Sequence, residues 1–295
     1  MQKISILTDS ASDIPVNIAQ ELGIRVLPIP ITHEGKSFSE RVEYTNEEFY
    51  ELMLGSSEIP STSHITADTY IEEYRKFYES GSTHVLNITI NSLGSSMFDA
   101  ACLAKRRFYE ENRIDEHSFR IEVIDSKAYT MAYGIAVIKA AKMAENGDDI
   151  DTIIVYLNDW FNRLEILFSV YSLDFVKKSG RVVAAAAFVG ELLGLRPLIS
   201  FIDGVATVTD KVRGDKNVMP KLLETAKKRM RNAQNYPFVM ICGTPLAEAQ
   251  ALEQLINDTM PQIKLEGIYS VGASVAINCG PKVLALVYAG EKRGK

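Results

Sequence analysis

Hydroxyl-bearing side chains gather in short turns along the first half of the sequence. Thr8-Asp9-Ser10 follows one apolar run, Asn91-Ser92-Leu93-Gly94-Ser95-Ser96 a second, and Asp125-Ser126 a third. Pro60-Ser61-Thr62-Ser63 precedes a helical pattern. Neutral hydroxyls beside the free N–H groups of helix starts suit an anionic head, a carboxylate or a phosphate. They hold it by hydrogen bonds and do no acid–base chemistry on it. The same residue types are also the ordinary caps of helices, and capping accounts for any one such turn. Their recurrence where strands end points to a shared site, because open α/β sheets bind ligands at the carboxyl ends of their strands.

Other chemistries lack their residues. No G-x-G-x-x-G follows a strand pattern, so the dinucleotide fingerprint is missing. Gly35-Lys36-Ser37 resembles the end of a phosphate-binding loop, but Pro30 stands where the first glycine belongs. His33, His64, His84 and His117 are scattered, and no metal-ligand spacing occurs. No G-x-S-x-G elbow anchors a hydrolase triad. The expectation is a site with no metal, no cofactor and no catalytic residue.

The elements that must position the turns read as alternating strands and helices. Strand patterns cover Lys3–Leu7, Arg25–Ile31, His84–Ile90 and Arg120–Ile124, with Lys36–Phe38 as an edge. Helical patterns cover Asn46–Leu54, Ala67–Tyr78, Ser95–Glu111 and Tyr129–Glu145. This order predicts a parallel sheet with helices on its faces. The second half is less regular. Asp151–Asn162 is an amphipathic helix, Glu165–Val170 a strand, Leu173–Lys178 a short helix and Val183–Leu195 an apolar one. Asp203-Gly204 joins Leu198–Phe201 to Ala206–Thr209 as a hairpin. Helices over Met219–Arg231 and Ala247–Ile256 alternate with strands at Phe238–Cys242, Ile263–Tyr269 and Val283–Tyr288. The predicted fold class is α/β, with a parallel-sheet domain over residues 1–155 and a mixed-sheet domain over 156–295.

Length and composition agree with two domains. The chain has 295 residues, against about 150 per domain. Hydrophobic residues are 46% and charged residues 24%, which supplies a core and excludes a disordered chain. A net charge of −6 argues against nucleic acid as the partner. Cys102, Cys242 and Cys279 form no redox or zinc spacing and read as reduced thiols. Neither the start of the sequence nor the apolar run Val182–Gly190 is long enough to span a bilayer. The expected location is cytoplasmic, with no integral membrane segment.

The ordered set of segments goes further. Thr8-Asp9-Ser10-Ala11-Ser12-Asp13-Ile14-Pro15 resembles the opening motif of the DegV family, and Pro60-Ser61-Thr62-Ser63 its P-x-T-S turn. Asn91–Ala101 is similar to its serine-glycine loop, and Val123-Ile124-Asp125-Ser126-Lys127 to its V-x-D-S-K signature. Lys177-Lys178-Ser179-Gly180-Arg181, Arg196-Pro197-Leu198, Lys211-Val212-Arg213-Gly214 and Gly272–Pro281 resemble its later segments, in the family's order.

The resemblance implies a two-domain α/β protein that holds a long-chain fatty acid in a tunnel between the domains. It implies a carrier that catalyses nothing and presents the acyl carboxylate to a separate fatty acid kinase catalytic subunit for acyl-phosphate formation. The carried-over carboxylate site is Thr62 with Ser63, and Ser95 with Ser96. Arg181 and Arg213 are implied at the tunnel mouth or the partner-facing surface, and Val182–Leu195 as tunnel lining. Two departures stand out. Ser96-Met97 replaces the family's glycine-threonine, and Asn278 stands where the terminal segment commonly has a histidine. Asn278 donates a hydrogen bond but carries no charge. Two other readings stay open. One is an enzyme or sensor of a small phosphorylated or carboxylated metabolite, with Asp9 and Asp125 as acid–base groups. The other is a lipid binder that signals to a different partner.

Overall fold

The computed structural model describes residues 2–171, 173–181, 194–243 and 246–293. In the first half, β1 (Ile4–Asp9) leads through a 3-10 turn (Ser10–Ser12) to α1 (Val16–Glu21) and β2 (Arg25–Leu27). Next come β3 (Pro30–His33), β4 (Lys36–Ser39), α2 (Asn46–Gly55) and β5 (Ser61–Thr62). Then α3 (Ala67–Glu79), β6 (His84–Thr89), α4 (Met97–Asn112), β7 (Arg120–Asp125) and α5 (Met131–Glu145) complete it. The order β2-β1-β6-β7 is parallel throughout, as the alternation predicts. A side sheet, β4-β3-β5, is antiparallel.

The predicted strand Arg25–Ile31 is split between these two sheets. β2 pairs with β1, and β3 pairs with β4 and β5. Pro28 and Pro30 have no N–H to continue a ladder, so the run breaks there. Between them, Ile29 donates its N–H to Ser10 Oγ at 2.9 Å instead.

α6 (Ile150–Phe161) crosses the expected boundary at residue 155 as one uninterrupted helix, capped by Asp149. Beyond it lie β8 (Leu164–Val170), α7 (Leu173–Ser179), β9 (Leu195–Ile202), β10 (Val205–Arg213) and α8 (Val218–Arg229). β11 (Val239–Cys242), α9 (Leu246–Thr259), β12 (Gly267–Ser270), α10 (Ala273–Cys279) and β13 (Val283–Ala289) follow. They build a mixed sheet of order β10-β9-β8-β13-β11-β12, antiparallel except between β11 and β12. The chain is therefore α/β, with a parallel sheet in its first part and a mixed sheet in its second. The expected helix Val183–Leu195 lies outside the described residues, apart from Gly194 in a turn and Leu195, which opens β9. α10 is a helix that the sequence pattern did not announce.

The mixed sheet is apolar on both faces, which explains its near-continuous hydrophobic strands. Leu167, Leu198, Met240, Leu284 and Leu286 pack with Leu222, Leu223 and Ala226 of α8 and Leu252 and Ile256 of α9. The alternate residues Ile166, Phe168, Ile199, Phe201, Ile241 and Ala285 join the core that extends through the first half. One side-chain amide crosses between the halves: Asn91 Nδ2 donates to Tyr129 Oη and to the Gly204 carbonyl, both at 2.9 Å. Among the described residues no helix is long and apolar enough to cross a membrane.

Candidate ligand-binding cavity

A cavity of about 440 Å3 opens between the carboxyl ends of the parallel strands and the inner face of the mixed sheet. Its polar wall comes from turns of the first half. Thr62 and Ser63 stand at the end of β5, with His64 beside them. Ser92, Ser95 and Ser96 come from the loop after β6, and Thr130 from the start of α5. Its apolar wall comes from alternate positions of the mixed sheet: Ile166 and Phe168 on β8, Phe201 on β9, Ile241 on β11, Val283 and Ala285 on β13. Phe168 and Phe201 stack with ring centroids 5.3 Å apart. α10 contributes Ser274, Val275, Asn278 and Cys279.

The hydroxyl-rich turns divide into two groups. Those of Thr8-Asp9-Ser10 and of Asp125-Ser126 are consumed in holding loops. Thr8 Oγ1 donates to the Ile88 carbonyl at 2.8 Å. Asp9 accepts from Tyr133 Oη at 2.7 Å and from the Ile90 and Ala11 N–H groups. Asp125 accepts from Ser92 Oγ at 2.5 Å and from the Ser92 and Lys127 N–H groups. Both aspartates orient the loops that border the cavity. By contrast, no hydrogen bond occupies the hydroxyls of Thr62, Ser63, Ser95 or Ser96 among the described residues. α4 starts at Met97, and Ser96 sits at its N-cap position without making a capping bond. The capping explanation therefore fails at the position where the cavity lies.

Of the residues singled out in the sequence, Thr62, Ser63, Ser95, Ser96, Asn278 and Arg181 all line this one cavity. Arg213 does not; it is exposed at the end of the edge strand β10. Arg181 is exposed and donates to the Ser179 carbonyl at 2.9 Å. Met97 is buried in the lining, an apolar group at the foot of the serine loop. Sequence reasoning missed Tyr129, Thr130, Ser274, Cys279 and the phenylalanine pair. Tyr129 was close at hand, three residues past Asp125-Ser126. It fixes the serine loop from below: a Cβ on Gly94 would stand 2.1 Å from Tyr129 Oη, so only glycine fits.

Burial shifts the titratable groups in and behind the cavity wall. Burial pushes the Cys279 thiol up to about 12, so it stays neutral and unreactive at pH 7. Burial likewise pushes Asp9 up to about 6, while its three hydrogen bonds pull it back. Burial raises Tyr129 as well. Among the described residues no group of three or more His, Cys, Asp or Glu is placed to hold a metal ion. Free hydroxyls on one wall and a continuous apolar surface opposite suit an amphipathic anion: an oxyanion against the hydroxyls, a hydrocarbon against the sheet.

Known proteins are similar to this chain in sequence and in fold. A family model described as "Uncharacterised protein, DegV family" matches residues 3–291. A DegV domain-containing protein of Caldanaerobacter subterraneus subsp. tengcongensis is 32% identical over 227 residues, 77% of this chain and 78% of its own. Among solved structures, a stearic acid-binding protein from Eubacterium ventriosum aligns with a TM-score of 0.87 at 26% identity, covering 97% of both chains. A DegV family protein from Thermus thermophilus, solved for its fatty acid binding, gives a TM-score of 0.85 at 25% identity and covers 98% of this chain and 100% of its own. Ordered motifs, sheet topology and a family match over nearly the whole length agree, and the chain belongs to the DegV family.

Proposed function

We propose that this protein binds a long-chain fatty acid in the cavity and presents its carboxylate to a separate fatty acid kinase catalytic subunit for acyl-phosphate formation. The observation that carries the reading is the pairing of unoccupied hydroxyls with an apolar sheet face across one cavity. The carboxylate sits on Thr62, Ser63, Ser95 and Ser96, with Asn278 as a neutral donor. The tail runs along Phe168, Phe201 and Ala285, where each buried methylene gains about 0.8 kcal/mol. Residues 1–155 carry the head-group loops and residues 156–295 line the tail. Arg181 faces the kinase at the mouth, beside Leu93, which is 70% exposed. Arg213 lies on the partner-facing surface. The carrier is cytoplasmic, uses no cofactor and catalyses no step itself.

Organic extraction of the purified protein, followed by mass spectrometry, tests the reading. A stoichiometric fatty acid is the expected result. A polar phosphorylated or carboxylated metabolite in its place would overturn it in favour of a small-anion enzyme or sensor.

A further inference from the structure

The α10 wall of the cavity is fastened from behind. Glu40, just past β4, is 2% exposed. Its Oε1 accepts the Ser274 N–H at 2.7 Å and its Oε2 accepts from Ser10 Oγ at 2.5 Å. Ser274 in turn offers its carbonyl to Asn278 Nδ2 at 2.7 Å. Asn278 faces the cavity, so the residue held by Glu40 is the one that orients the head-group amide. Tyr50 Oη donates to the Val271 carbonyl at 2.9 Å and holds the approach to α10. Asp13 closes the cluster. A Cβ on Gly272 would stand 2.2 Å from Asp13 Oδ1 and 3.0 Å from Glu40 Oε1. Two buried carboxyl groups thus crowd one glycine, and neither forms an ion pair among the described residues.

We propose that Glu40 is a positioning residue for the head-group end of the cavity: it seats Ser274, and Ser274 orients Asn278. The affinity consequence rests on the fatty acid reading; the seating of α10 does not. The seat depends on a proton. Two ionised carboxylates sharing a dry space repel, and each pays for lost hydration. Burial accordingly raises Glu40 above the usual carboxylate range and Asp13 well above it. The groups facing the pair are Asp9 at the end of β1, Arg41 beside Glu40, Tyr50 on α2, Tyr133 on α5 and Cys279 on α10. Arg41, which donates to the Ile14 carbonyl at 2.7 Å, favours the ionised forms. Tyr50, Tyr133 and Cys279 are all held neutral by burial. The carboxyl groups therefore set the profile, and loss of the proton they hold loosens the seat.

Hydrogen exchange of the full chain, read by mass spectrometry, tests this together with laurate affinity along a pH series from acid to alkaline. Glu40→Ala should speed exchange in residues 271–279 about tenfold or more, with β1 and β6 unchanged, and weaken laurate about tenfold. Glu40→Gln keeps an acceptor for the Ser274 N–H and cannot ionise. It should match the wild type at the acid end and hold laurate better than the wild type at the alkaline end. Unchanged exchange over 271–279 in Glu40→Ala would overturn the proposal, as would Glu40→Gln with the wild-type pH profile. Should Glu40→Ala not fold, the comparison of Glu40→Gln with the wild type decides alone. A wild type that takes up neither laurate nor palmitate overturns the fatty acid reading, while the exchange result still decides the role of Glu40.

Discussion

At the scale of single residues, the site turns on hydroxyls that have no other employment. The hydroxyls of Thr62 and Ser95 hold no hydrogen bond among the described residues, so both can donate to an anion in the cavity. Thr62→Ala combined with Ser95→Ala leaves a bound carboxylate short of donors in a partly dry site. The expected loss is about 1–3 kcal/mol, roughly 5- to 150-fold in Kd, read by isothermal titration with laurate. An unchanged Kd would remove both residues from the head-group site. Asn278 permits a second prediction. Its amide gives the site a donor with no charge at position 278. Asn278→His adds a group with an ordinary pKa near about 6.5. Affinity for laurate should then rise as pH falls through that value, because the imidazolium attracts the carboxylate. A variant whose pH profile matches the wild type would show that position 278 does not touch the head. These residues were legible as types and order in the sequence, down to the six that share the cavity. Arg213 was legible only as a motif position, because strand geometry carried it to an exposed sheet edge.

At the scale of elements, long periodic segments were readable and short ones were not. The parallel order of β2-β1-β6-β7 followed from strand–helix alternation, and the β9–β10 hairpin from Asp203-Gly204. β5 has only 2 residues and exists because β3 offers it an edge. α10 has only 7 residues and no strong amphipathic pattern; its conformation is set by the Glu40 and Tyr50 contacts from the other half of the chain. Tertiary contacts of that kind leave no local trace. The serine loop and the β9–β10 turn are coupled in the same nonlocal way. Asn91 reaches from the loop to the Gly204 carbonyl, and a Cβ on Gly204 would stand 2.5 Å from Asn91 Oδ1. Gly204 also has φ +77°, where a Cβ is strained. Asn91→Ala should cost about 1–3 kcal/mol by stranding Gly204 O and Tyr129 Oη. Gly204→Ala should cost at least about 1 kcal/mol. Midpoints of urea unfolding read both. If Asn91 and Gly204 meet as described, the double variant should cost less than the sum of the two.

At the scale of the whole molecule, the buried acids of the first half make stability depend on pH in an unusual direction. Most carboxylates that matter to a fold are paired and lie below their ordinary range, as Asp159 does at about 2 among Lys292, Tyr236 and Arg163. Such groups lose their contribution as pH falls. Asp9 does the reverse. Burial lifts it from 3.8 to about 6, so between those values the folded chain holds a proton that the unfolded chain has released. Stability falls as pH rises through that window, and the full contribution is present below pH 3.8. The displacement is worth about 3 kcal/mol. Glu40 and Asp13 are raised by the same burial and add to the fall. Unfolding free energy should therefore decline from about pH 4 to about pH 6 in urea titrations at fixed ionic strength. Asp9→Asn should flatten that decline, at the expense of the hydrogen bond from the Ile90 N–H, because the Ala11 N–H and Tyr133 Oη share the other oxygen. If Asp9→Asn leaves the slope over this window unchanged, the carboxyl is ionised within the fold. The hydrogen bonds from Tyr133 and Ile90 would then outweigh burial, and the acids around the cavity would act as fixed charges.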